Sequence, residues 1–124
     1  MTVDQIFQEA LAVFEYKTDI VQFRKVEYWQ TYEEVAKQLK ETGKFEGDCE
    51  DFAAYVLNKL RQQGYQARYI FCITKLGYHL VVETDGLILD NLQKEVLPYY
   101  RLPYKWVSIS GYQPNETWHS IKLF

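Results

Sequence analysis

Apolar and polar positions follow two different periods along this chain. From Asp4 to Tyr16 the apolar residues Ile6, Phe7, Ala10, Leu11, Val13 and Phe14 recur at helical spacing, with Thr2 or Asp4 placed to cap the first turn. Thr18 to Gln30 is rich in aromatics but has no period, and reads as loop with short irregular turns. Thr31, with Glu34 three residues later, has the spacing of a capping box, and a helix carrying Val35, Ala36 and Leu39 would stop at Gly43. A third helix opens at Gly47-Asp48-Cys49-Glu50-Asp51 and runs to about Gln63, with Gly64 as its terminator. Its apolar stripe is Phe52, Ala53, Val56, Leu57 and Leu60.

Beyond Gly64 the period drops from 3.6 to 2. Ala67–Thr74 is rich in β-branched and aromatic residues and reads as a strand. Leu76-Gly77 reads as a turn, Tyr78–Glu83 as a second strand, and Asp85-Gly86 as a hairpin turn leading to a third strand, Leu87–Asp90. Gln93–Pro103 is a connection, followed by short strands at Trp106–Ser110 and Trp118–Lys122. Helices first and strands after predict an α+β fold with an antiparallel sheet. The 124 residues, without repeat or linker, are expected to form one domain, 1–124.

Composition narrows the function classes. The net charge is −3 and no basic stripe appears, so no nucleic-acid partner is expected. The apolar runs are too short for a bilayer, so no membrane partner is expected either. Met1 to Gln5 lacks the basic and apolar regions of a signal peptide, which leads us to expect a cytoplasmic protein, with a removed leader as the alternative. The two cysteines make no disulfide framework, and no Cys-x-x-Cys spacing suggests zinc. Cys72 reads as core and His119 as a surface strand residue. The sequence leaves the oligomeric state open.

The chemistry centres on Cys49. It lies three and four residues before Phe52 and Ala53, so it extends the buried stripe by one turn. At a helix N-terminus, unpaired N–H groups and the macrodipole favour a thiolate and would hold an oxyanion. Asp48 fits an N-cap, and Glu50 and Asp51 suit the dipole. Their charges also raise a thiol's pKa, so a positive group should offset them, either an imidazolium or a Ca²⁺ ion held by the carboxylates.

His79 shares one strand face with Val81 and Glu83. A two-residue Asp85-Gly86 turn pairs Thr84 with Leu87, Glu83 with Ile88, Val82 with Leu89 and Val81 with Asp90. That register makes Asp90 the diagonal neighbour of His79, within reach of a His–carboxylate hydrogen bond. A three-residue loop would bring Asn91 there instead, so Asn91 is the alternative third member. A helix-start thiol, a strand imidazole and an adjacent-strand acid together are the parts of a Cys-His-Asp triad.

The blocks Gly47-Asp48-Cys49-Glu50-Asp51-Phe52-Ala53, Tyr78-His79-Leu80-Val81-Val82 and Leu87-Ile88-Leu89-Asp90-Asn91, with Tyr28-Trp29-Gln30-Thr31 upstream, resemble the bacterial transglutaminase-like cysteine proteinases, LapG-like enzymes among them. The resemblance covers most of residues 28 to 100. It implies a papain/transglutaminase-like core, with Cys49 as nucleophile, His79 as general base and then acid, and Asp90 as orienter. It also implies Trp29 near the oxyanion site and a possible Ca²⁺ site at Asp48, Glu50 and Asp51. No other cofactor is required.

A chain shorter than the typical secreted members, a compact His79–Asp90 segment and the lack of a signal-peptide pattern favour a compact cytoplasmic or phage-encoded relative over a periplasmic one, the phage origin being read from size. The function expected is a thiol-dependent peptidase or amidase on a protein or peptide substrate. The alternatives are a catalytically silent binding module and an acyl-transferring transglutaminase.

Overall fold

Thr2 starts the first helix. Its hydroxyl accepts the Gln5 N–H while the Gln5 side chain accepts the Thr2 N–H, a reciprocal cap that fixes α1 as Val3–Val13. The helix ends earlier than its apolar period suggests, because Phe14 is already extended (φ −86°, ψ 134°). Phe14–Tyr16 forms β1, a short strand parallel to β2 (Phe45–Gly47). This pairing sets Tyr16 opposite Gly47, so the end of α1 lies beside the start of α2 (Cys49–Gln62). Gly64, at φ +87°, reverses the chain after α2, and the Tyr65 N–H returns to the Leu60 carbonyl at 3.0 Å.

The computed structural model describes residues 1–16, 45–113, 116 and 118–121. The helix expected from Thr31 to Gly43, and Trp29, lie outside the described residues.

Six antiparallel strands follow α2. They are β3 (Arg68–Thr74), β4 (Gly77–Thr84), β5 (Leu87–Leu89), β6 (Leu97–Pro98), β7 (Lys105–Ile109) and β8 (His119–Ser120), in the sheet order β6-β5-β4-β3-β7-β8. The fold is α+β, as the sequence predicts. The last strand is shorter than Trp118–Lys122. The Gln93–Pro103 connection contains two elements that its proline-rich composition hides, the edge strand β6 and the 3₁₀ turn Tyr99–Arg101.

The hairpin register is the expected one: Thr84 faces Leu87, Glu83 faces Ile88 and Val82 faces Leu89. Asp85 and Gly86 take φ +51° and +80°, the two left-handed residues of a mirror-image two-residue turn. Glu83 ties this turn down, accepting the Gly86 N–H at 2.8 Å and pairing with Arg68 at 3.0 Å.

The sheet is packed on both faces. On one side, Leu80, Val82 and Leu89 meet Ile6, Phe7 and Ala10 of α1 and Phe52, Ala53, Val56 and Leu60 of α2. Phe52 receives the rings of Phe7 and Phe14 edge-on at 6.1 and 5.0 Å. On the other side, Ile70, Cys72, Val81, Ile88, Leu102 and Trp106 form a second cluster. Strand β4, central and buried from His79 to Thr84, therefore contributes alternate residues to two cores, and His79 has the parity of Val81.

Candidate active site

Cys49 is the first residue of α2. Asp48 caps the helix: its Oδ1 accepts the N–H groups of Glu50 (3.0 Å) and Asp51 (3.4 Å), and its own N–H donates to Asp51 Oδ2 (3.0 Å). The cap uses the second and third amides of the turn and leaves the N–H of Cys49 unclaimed. Asp51 is fully buried, so its first duty is to this reciprocal box.

The Cys49 thiol is partly buried. Burial pushes its pKa up to about 12; a backbone hydrogen bond at Leu80 works the other way, and the charges of Asp48, Glu50 and Asp90 raise it further. The thiol is therefore protonated at neutral pH in this arrangement.

His79 is buried, and its Nε2 lies 2.5 Å from Asp90 Oδ1. Asp90, 1 % exposed, accepts two further hydrogen bonds, from the Leu92 N–H to Oδ1 (2.9 Å) and from the Tyr104 hydroxyl to Oδ2 (2.5 Å). The carboxylate thus holds the imidazole by Nε2 and leaves Nδ1 as its free nitrogen. The alternative third member, Asn91, does not take this place, because the two-residue turn sets the register for Asp90. Asn91 Oδ1 is buried without a hydrogen-bond partner, and the residue lines the cleft beside the pair.

Cys49 and His79 open into the same cleft of about 610 Å³, walled by Leu11, Phe14, Thr74, Leu76, Tyr78, Asn91 and Leu92. Leu76, Tyr78 and Leu92 are exposed on its rim, so the walls the described residues supply are mainly apolar. Cys49 comes from the helix layer and His79 from the far-face parity of β4. Both line the cleft near the beginning of that strand.

Tyr104, unlike its neighbours Tyr99 and Tyr100, bonds the acid, a contact the sequence does not announce. Only its place just before Trp106, at the return into β7, could have flagged it. Cys72, by contrast, is fully buried as expected, and His119 is exposed on β8.

The acidic turn was a candidate Ca²⁺ site. Among the described residues no group of three or more His, Cys, Asp or Glu is gathered to hold a metal, and Asp48 and Asp51 are engaged by backbone amides. The described residues alone do not fit the ion.

Residues 2–123 match the family of bacterial transglutaminase-like cysteine proteinases (BTLCP). The chain belongs to that family. A thiol at a helix start and an acid-held imidazole lining one cleft are in keeping with a cysteine proteinase. Solved structures similar to the chain include two of LapG. One, Legionella pneumophila LapG treated with EGTA, has a TM-score of 0.73 at 24% identity over 97% of this chain and 66% of that one. The other, Legionella pneumophila LapG, has a TM-score of 0.67 at 23% identity over 96% of this chain and 69% of that one. At such identities the likeness speaks for the fold, and this chain spans about two thirds of their length. No curated protein matches the chain.

Proposed function

We propose that this proteinase cleaves an amide bond of a protein or peptide through a Cys49–His79–Asp90 triad and an acyl-enzyme. The observation that carries the reading is the buried His79–Asp90 hydrogen bond in a cleft that Cys49 also lines. The raised thiol pKa sets the order of events. The proton leaves Sγ for His79 Nδ1 as sulfur attacks the carbonyl carbon, rather than beforehand. Asp90 fixes the tautomer and stabilises the imidazolium. The unclaimed N–H of Cys49 meets the oxyanion. His79 then gives its proton to the departing amine as the C–N bond breaks. Water, deprotonated by the same imidazole, hydrolyses the thioester and restores the thiol. An amine in place of water would give acyl transfer by the same steps.

The test is alkylation by iodoacetamide followed site by site. Cys49 should react at neutral pH while buried Cys72 does not, and His79→Ala should slow Cys49 by about a hundredfold, the lower end of general-base effects. Equal, slow reaction of both thiols, unaltered by His79→Ala, would reject the triad.

The similar EGTA-treated structure bears on Ca²⁺, which EGTA chelates. It supports the ion as an expectation for the acidic turn of Asp48, Glu50 and Asp51, which the described residues alone do not complete. Ca²⁺ there would offset the charges of Asp48 and Glu50 that oppose ionisation of Cys49. A melting temperature raised by Ca²⁺ and lowered again by EGTA is the expected result; superimposable curves would remove the ion from this proposal.

A further inference from the structure

The Asp90 carboxylate has a partner that neither the nucleophile nor the base requires. Tyr104 donates its hydroxyl to Asp90 Oδ2, and the Gln93 side-chain amide donates in turn to the Tyr104 oxygen at 3.1 Å. The Tyr104 ring stands edge-on to the His79 ring, with centroids 6.2 Å apart and planes at 86°, and edge-on to Trp106 at 5.6 Å. The chain Gln93–Tyr104–Asp90–His79 therefore runs from the loop after β5, across the return into β7, to the imidazole.

Its consequence is mechanical. A carboxylate held by a single oxygen can turn about its last bond and carry the imidazole with it. Here Oδ1 is fixed by the Leu92 N–H and Oδ2 by the Tyr104 hydroxyl, one on each side. The oxygen that meets His79 Nε2 is thereby held against rotation, and the Tyr104 ring packs against the imidazole. Tyr104 is kept as a neutral donor, because burial and the hydrogen bond to Asp90 both raise its pKa well above the usual tyrosine range.

We propose that Tyr104, oriented by Gln93, is a positioning residue for the reaction: it clamps Asp90 so that His79 presents Nδ1 to the Cys49 thiol. This rests on the triad read above. Among the described residues, besides Tyr104, the titratable groups around the Asp90–His79 pair are Cys72, across the β3–β4 register from His79, and Cys49 with its neighbours Asp48 and Glu50 at the start of α2.

The test needs no natural substrate. The rate of Cys49 alkylation by iodoacetamide is followed against pH in the full chain and in Tyr104→Phe, with circular dichroism and melting to establish the fold. Phenylalanine keeps the ring packing and removes only the hydroxyl. The wild-type profile should show an inflection below the alkaline range of the thiol, and His79→Ala should lack it. In Tyr104→Phe the neutral-pH rate should fall about tenfold, as for a reacting group displaced by a fraction of an ångström. Its inflection should also move toward the alkaline range of the buried thiol itself.

A folded Tyr104→Phe with the wild-type rate and profile would overturn the proposal. Should that variant fail to fold, Gln93→Met leaves the tyrosine in place; a smaller change in the same sense supports the clamp, and an unchanged profile rejects it. The two readings fail differently. If wild type lacks the inflection and His79→Ala matches it, the triad itself falls; if His79→Ala is slow and Tyr104→Phe is not, only the clamp falls.

Discussion

At Cys49 two local demands pull against each other. The helix start wants acidic residues: Asp48 supplies the cap oxygen, and Asp51 closes the reciprocal box. A nucleophilic thiol wants the opposite, and Asp48 and Glu50 both raise its pKa. Asparagine caps about as well as aspartate but carries no charge. Asp48→Asn should therefore keep the melting temperature close to wild type while speeding alkylation of Cys49 at pH 8. Asp48→Ala should instead cost about 1 kcal/mol in urea unfolding, the typical worth of a lost cap. Equal melting losses for both variants, with no change in alkylation, would show that the charge does not reach the sulfur. This pair of demands was legible in the sequence, because cap, nucleophile and acids are four consecutive residues whose geometry a single helix turn dictates.

At the scale of elements, legibility followed sequence distance. The β4–β5 hairpin was readable because Asp85-Gly86 favours a two-residue turn, and that turn fixes the pairing of the residues after it. The placement of Asp90 against His79 follows from that register. The clamp on Asp90 was not readable. Tyr104 lies fourteen positions further on, beyond an edge strand and a 3₁₀ turn that no apolar period announces. What brings it back is β7 pairing with β3 instead of extending the hairpin edge, a choice made by tertiary packing. The end of α1 was misjudged for a similar reason. Phe14 continues the helical apolar stripe, but its ring is used against Phe52 from an extended backbone, while β1 pairs with a segment some thirty residues away.

Across the whole molecule, burial also acts on groups that ionise at alkaline pH, Cys49, Cys72 and Tyr69 among them. Burial is the largest cause for each, and it carries Cys49, Cys72 and Tyr69 up to about 12 from ordinary values of 9.0, 9.0 and 10.0. Unfolding returns them to water, where they lose their protons sooner. Between about pH 9 and 12 the unfolded chain thus binds fewer protons than the native one, and stability falls as pH rises through that window. Below pH 9 both states are protonated at these sites, and this contribution is intact. Each group fully out of step steepens the fall by about 1.4 kcal/mol per pH unit. Urea unfolding at pH 8, 9, 10 and 11 should show the decline. Cys72 gives the cleanest comparison, since its side chain is fully buried and lies outside the proposed triad. Cys72→Ala should be less stable than wild type at pH 8, because it leaves a cavity. It should also lose less stability than wild type between pH 9 and 11, so the two curves converge. Parallel curves would mean that the Cys72 proton is released as readily from the native sheet as from the unfolded chain, and that the second core does not exclude water from beneath β3 and β4.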